Sequence, residues 1–252
     1  MKKIHFVHNY LLAPTHPVTI NLVGCGGTGS HVLSCLARMN TTLRALNYPG
    51  IHVRAYDNDI VTETNMGRQL FSGSDIGRNK AEVLITRVNR FFGFAWESVP
   101  DLYISDRANI IVSCVDNLQT RQRIAGHIGQ KETEHEEFMQ MLYWLDFGNL
   151  QKTGQVVLGS FNNIPQPNSQ RYMTVSKLPC FTELFNVDEI NEDESGPSCS
   201  MAEAIGKQDL FINSTLAELG CDLLWKMFRD FTLDYSGLYL NLQTMNVNPI
   251  PV

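Results

Sequence analysis

Apolar residues follow two periods along this chain. Thr19-Ile20-Asn21-Leu22-Val23 is a short, mostly apolar run that stops at Gly24, and it reads as a buried strand. From Thr28 the spacing becomes helical. Val32, Leu36 and Met39 share one face, with Leu33 and Ala37 beside it. Pro49-Gly50 punctuates the return, and Ile51 to Asp57 forms the second strand. Strand, helix and strand at this spacing predict a βαβ unit, hence parallel strands joined by a right-handed crossover.

The same reading continues beyond this unit. A helix is predicted from about Lys80 to Phe91, with Leu84, Val88 and Phe91 in register, and a strand from Phe94 to Val99. Asn109 to Val115 is nearly continuous in apolar character, as a central parallel strand requires. A helix from Asn117 to about Lys131 follows, then strands at Met141–Phe147 and Gln155–Ser160. Residues 162–198 hold Pro165, Pro167, Pro179 and Pro197 and the acidic run Asp188 to Glu194, which predicts one long loop. A long helix is expected over Met201–Phe228, with Phe211, Thr215, Leu219 and Leu223 or Leu224 spaced for burial, and a last strand at Gly237–Leu242. The fold class is α/β: a Rossmann-like, doubly wound, mostly parallel sheet with helices on both faces. The expected organisation is one domain over residues 1–252. It comprises a nucleotide-binding half at 19–125, the loop at 162–198, and a C-terminal helix and strand at 201–252.

Composition narrows the classes. The 252 residues are 43% hydrophobic and 18% charged, which suits one sizeable core, and the net charge of −6 argues against a nucleic-acid module. No apolar run is long enough to span a membrane. None of the six cysteines forms a C-x-x-C pair, so structural zinc is not expected, and a cytoplasmic location is.

The candidate chemistry starts at Gly24-Cys25-Gly26-Gly27-Thr28-Gly29, a G-x-G-x-x-G loop between a strand and a helix. Gly24, Gly26, Gly27 and Gly29 would let the backbone approach a phosphate at a helix N-terminus, although a tight structural turn explains the same pattern. Asp57, ending the second strand, sits where such folds hold a ribose diol, with Asp59 as the other choice. Asn65, Arg68, Gln69 and Lys80, then Asp116-Asn117 after the central strand, complete the set. Two cations near a phosphate loop favour a triphosphate, and an aspartate facing phosphates favours Mg²⁺ between them. Cations of this kind taken singly are ordinary surface charges.

Asp57-x-Asp59-x-Val61-x-x-x-Asn65-x-x-Arg68-Gln69, Asp75-Ile76-Gly77-x-x-Lys80-Ala81 and Asp116-Asn117-x-x-Thr120-Arg121 resemble the ThiF/MoeB family of ubiquitin-activating-type adenylating enzymes over about residues 19–125. The ending, with Pro197-Ser198-Cys199-Ser200-Met201-Ala202-Glu203-Ala204 and Asn241-Leu242, is similar to ThiF-related proteins of the PRTRC gene cassettes, found on bacterial plasmids and mobile elements. The resemblance implies ATP and Mg²⁺ as cofactors. It implies Asp57 on the ribose, Asn65, Arg68 and Lys80 on phosphates, and Asp116 on the metal. The partner it implies is a small ubiquitin-like protein whose C-terminal glycine becomes an acyl-adenylate, and a homodimer is the family's assembly. Only 18 residues precede the predicted first strand, so no counterpart of the segment that often gives an arginine to the partner's site is expected, which leaves the dimer open.

Several members of the family carry a nucleophilic cysteine before the long helix, and Cys199 holds that place here, with Cys180 as runner-up. Ser198 or Ser200 could instead be capping a helix there. Two rivals stand beside adenylation. One is an NAD(P)-dependent oxidoreductase, which shares the glycine loop and Asp57. The other is a nucleotide-binding scaffold without turnover.

Overall fold

The computed structural model describes residues 1–130, 140–185 and 208–252. Eight strands build its main sheet. They are β2 (Val18–Val23), β3 (Ile51–Tyr56), β4 (Glu97–Val99), β5 (Ile110–Ser113), β6 (Tyr143–Asn149), β7 (Thr153–Ser160), β10 (Tyr235–Asn241) and β11 (Asn246–Pro251). Their order across the sheet is β11-β10-β7-β6-β5-β2-β3-β4. From β6 to β4 every neighbouring pair is parallel, whereas β7, β10 and β11 add an antiparallel flank. The sheet is the expected Rossmann-like one. Chain order reverses between β2 and β5, so a crevice opens at the carboxyl ends of those strands, where such sheets bind ligands.

Helices α1 (Gly27–Ala45), α2 (Lys80–Phe92) and α5 (Ile212–Arg229) pack with the larger core. Helices α3 (Leu118–Ala125) and α4 (Phe181–Leu184) belong with a second cluster around Tyr103, Trp144 and Phe161. A small second sheet places β1 (Lys2–Phe6) between β8 (Tyr172–Thr174) and β9 (Thr232–Leu233). Among the described residues no helix is long and apolar enough to cross a membrane.

Several boundaries differ from the sequence reading, each for a local reason. Phe91, expected in the core, is 81% exposed, because the buried stripe of α2 runs through Val83, Leu84, Ile85 and Val88 and Gly93 ends the helix in the left-handed region. Helix α3 stops at Ala125, and Gly126 and Gly129 follow it. Helix α5 starts at Ile212 rather than Met201. Residues 201–207 lie outside the described residues, and Asp209 spends its N–H on the Gln151 carbonyl and its Oδ1 on the Phe211 N–H. The buried face therefore passes through Ile212, Leu216, Ala217 and Leu224, leaving Phe211 outside. The predicted long loop contains β8 and α4, and 186–198 lie outside the described residues. Strands β1, β9 and β11 carry no clear alternation, so the hydrophobic pattern gives no sign of them.

Candidate functional site

Strand β2 delivers the chain into the glycine loop at Gly24, whose φ of +91° suits glycine. A Cβ there would lie 2.6 Å from the Cys114 carbonyl oxygen, so the loop sits directly against the end of β5. A Cβ on Gly29 would lie 1.9 Å from the Gly24 carbonyl oxygen; Gly29 allows the helix to pack on its own loop. Gly26 faces open space: the atom nearest to a Cβ placed there would be Gln69 Nε2, at 4.0 Å. Gly26 is also the N-cap of α1 and supplies no side-chain cap, so the first-turn N–H groups lack a side-chain acceptor from that position.

Asp57 anchors this loop. Its Oδ2 accepts from the Cys25 N–H at 2.6 Å and its Oδ1 from the Asp59 N–H at 2.9 Å. Burial raises its pKa above the ordinary carboxylate value, while the Cys25 N–H and the Lys80 charge pull the other way. Each oxygen keeps a further lone pair with which to meet a diol. Lys80, the first residue of α2, is buried and donates to Asp59 Oδ2 at 2.8 Å. Asn79 caps α2 by accepting from the Glu82 N–H, and its amide also donates to the Asp57 carbonyl, so the Asp57–Asp59 segment and the start of α2 form one unit.

Arg68 and Gln69 lie against the first turn of α1, where Ser30 Oγ accepts from the Leu70 N–H at 3.3 Å. Arg68 Nη1 donates to Gln208 Oε1 at 2.6 Å. Arg68 Nε and Gln69 Oε1 are buried without a hydrogen-bond partner among the described residues. Burial lowers the Arg68 pKa, yet a guanidinium keeps its charge.

Not every candidate faces this cluster in the same way. Asn65 Oδ1 accepts from the Thr62 N–H and hydroxyl, closing a 3-10 turn at Glu63–Asn65. Asn117 caps α3 by accepting from the Thr120 N–H at 2.9 Å. Asp116 is exposed, two residues beyond Cys114. Cys199 lies outside the described residues. The alternative thiol, Cys180, is fully buried, and burial pushes its pKa up to about 12, which leaves it a poor nucleophile. Arg121 is buried against Asp146, with Nε to Oδ2 at 2.9 Å, so it belongs to the interior. Two contributors carry no signal in the sequence, Gln208 and Asn213. Asn213 is buried beside Gly27 and its Oδ1 accepts from the Thr28 hydroxyl at 3.0 Å.

The residues fit ATP and Mg²⁺ in chemical type: an open glycine loop, a half-buried arginine whose Nε has no partner among the described residues, and the exposed carboxylate of Asp116. Mg²⁺ commonly takes one or two carboxylates and completes its shell with phosphates and water. Among the described residues no group of three or more His, Cys, Asp or Glu gathers as for a protein-only metal cage.

The sequence matches the ThiF family over residues 15–249. The fold is similar to E. coli MccB with ATP, at 17% identity and a TM-score of 0.60, covering 93% of this chain and 63% of that one. It is also similar to PaaA, at 14% identity and a TM-score of 0.59, covering 93% and 64%. A third likeness is to the microcin C7 biosynthetic enzyme MccB in complex with N-formylated MccA, at 16% identity and a TM-score of 0.58, covering 93% and 64%. The chain thus spans just under two thirds of the length of these structures, and at such identities the likeness is one of fold. No curated protein matches significantly.

Proposed function

The chain belongs to the ThiF family, and from that premise we propose that it adenylates the C-terminal carboxylate of a small protein or peptide with ATP. The observation that carries this reading is Arg68 Nε, buried without a partner among the described residues, on a segment tied to the first turn of α1 after the open glycine loop. A buried donor of this kind costs free energy unless an acceptor arrives, and a phosphate oxygen is the acceptor that loop admits.

In this reading Asp57 meets the ribose and the glycine loop meets the phosphates. A substrate carboxylate is already ionised at neutral pH, so no general base is needed. Its oxygen forms a bond to the α-phosphorus while the bond to the bridging oxygen breaks, and pyrophosphate departs with the growing charge. Arg68 stabilises that charge, and Lys80 joins it by turning from Asp59, whose carboxylate is exposed and easily resolvated. Mg²⁺, held by Asp116 and the phosphates, would supply further charge neutralisation when bound. MccB has been captured with ATP and with N-formylated MccA, which supports a polypeptide substrate.

The finer reading is a β-grasp, ubiquitin-like partner ending in glycine, as for the ThiF-related protein of a PRTRC cassette in a bacterial cytoplasm. Cys199 then takes the acyl group as a thioester. The thiolate attacks the acyl carbon, AMP leaves, and the thiol proton passes to solvent.

Pyrophosphate exchange tests the proposal. The full chain with ATP, Mg²⁺ and a glycine-terminated β-grasp protein encoded beside it should exchange labelled pyrophosphate into ATP. Asp116→Ala should abolish exchange and leave the fold intact, and Cys199→Ala should spare exchange while removing any thioester. ATP binding with no exchange for any carboxylate partner would reduce the protein to a scaffold. NADH binding without ATP binding would make it an oxidoreductase.

A further inference from the structure

Three parts of the chain meet beside the glycine loop: the first turn of α1, the Arg68–Leu70 segment and the entry to α5. A relay of side chains crosses this junction. The Thr28 hydroxyl donates to Asn213 Oδ1 at 3.0 Å. Asn213 Nδ2 donates to Gln208 Oε1 at 3.4 Å, and the same oxygen accepts from Arg68 Nη1 at 2.6 Å. A Cβ on Gly27 would lie within 2.8 to 2.9 Å of the carbon, nitrogen and oxygen of the Asn213 amide group, so that amide lies flat against the loop. Asn213 is 1% exposed, which makes its contacts obligatory.

We propose that Gln208 and Asn213 are positioning residues of the phosphate site. They hold the Arg68 guanidinium in fixed register with the glycine loop, so that its charge meets a nucleotide phosphate. This inference rests on the adenylation reading and adds to it two residues that bind no substrate themselves. The chemistry of the relay supports the role. An arginine side chain has many rotamers, and fixing it before the ligand arrives moves that entropic cost out of the binding step. An amide oxygen fixes a guanidinium by one charge-assisted bond without cancelling its charge. A carboxylate at 208 would neutralise the charge that the phosphate needs. Gln208 engages only Nη1, and the buried Nε keeps its donor unspent among the described residues.

Calorimetric binding of ATP and of adenosine to the full chain tests the proposal. Gln208→Met keeps the length and removes the acceptor. It should weaken ATP binding about tenfold and leave adenosine binding unchanged, since adenosine has no phosphate. Gln208→Glu should weaken ATP binding further. In an Arg68→Ala background, Gln208→Met should cause no additional loss, because the two residues act as one unit. Asn213→Ala should reproduce the Gln208→Met pattern, and if it fails to fold, the half-buried end of the relay at Gln208 still decides. Wild-type affinity for ATP in Gln208→Met would overturn the inference, as would an equal loss for adenosine or a loss that persists without Arg68. A wild-type chain that binds neither ligand would overturn the nucleotide reading itself, a different outcome from wild-type binding that Gln208 does not influence.

Discussion

Asp57 Oδ2 accepts the Cys25 N–H at 2.6 Å, so the residue assigned to a ribose also closes the loop assigned to the phosphates. One carboxylate thus ties the end of β3 to the turn after β2. Asp57→Ala removes both bonds to backbone N–H groups and should lower unfolding stability by about 1–3 kcal/mol in urea titration. It should also weaken binding of inorganic triphosphate, which has no ribose. Unchanged stability together with unchanged triphosphate binding would show that Asp57 does not organise the loop.

Gly26 and Gly29 should respond differently to the same added methyl. At Gly29 the new carbon meets backbone, the Gly24 carbonyl oxygen at 1.9 Å, and the loop cannot yield without losing its shape. Gly29→Ala should cost several kcal/mol or prevent folding. At Gly26 the nearest atom is 4.0 Å away, so the fold should survive with a loss of no more than about 2 kcal/mol. ATP affinity should nevertheless fall at least about tenfold, because the methyl enters the space a phosphate would use. Thermal unfolding and ATP titration of the two variants separate the roles, and a Gly26→Ala variant with full affinity would move the phosphates elsewhere.

The buried pair of Arg121 and Asp146 should be costly to break and modest in net value. Asp146 Oδ2 accepts from Arg121 Nε at 2.9 Å and from the Ser113 hydroxyl at 2.5 Å, and burial raises its pKa against the pull of Arg121. Asp146→Ala strands a guanidinium in the interior and should destabilise by about 3–5 kcal/mol. Arg121→Met combined with Asp146→Asn should recover part of that loss, since no charge is left unpaired. Urea midpoints measure both, and a loss under about 1 kcal/mol for Asp146→Ala would contradict the burial.

A pH dependence should come from His5. Its Nδ1 lies 2.7 Å from the Val175 carbonyl, so that nitrogen carries the proton, and Nε2 accepts from the Tyr143 hydroxyl at 2.9 Å. Burial lowers its pKa from 6.5, with the Val175 carbonyl opposing. The unfolded chain therefore binds more protons below that ordinary value. Stability is complete above pH 6.5 and is lost as pH falls through 6.5 toward the lowered folded value. His5→Gln should flatten the difference between about pH 5 and about pH 8 in urea midpoints. An equal slope in wild type and variant would place the dependence on other groups.

The sequence by itself determined what short-range sterics and periodicity govern. The βαβ spacing, the glycine loop after β2 and the apolar run of β5 all act within a few residues, and each is legible there. The ThiF-type spacing from Asp57 to Asn117 likewise points to most candidate site residues without any tertiary information. Partners distant in the chain are another matter. Gln208 reaches Arg68 across 140 residues and Asn213 reaches Thr28 across 185, and an ordinary polar residue in a helical or turn pattern gives no sign of where it docks. The start of α5 and the strand β1 were decided in the same way. Their backbone groups are satisfied by distant carbonyls and strand partners, and a buried group takes the partner that packing supplies, whatever its own local propensity.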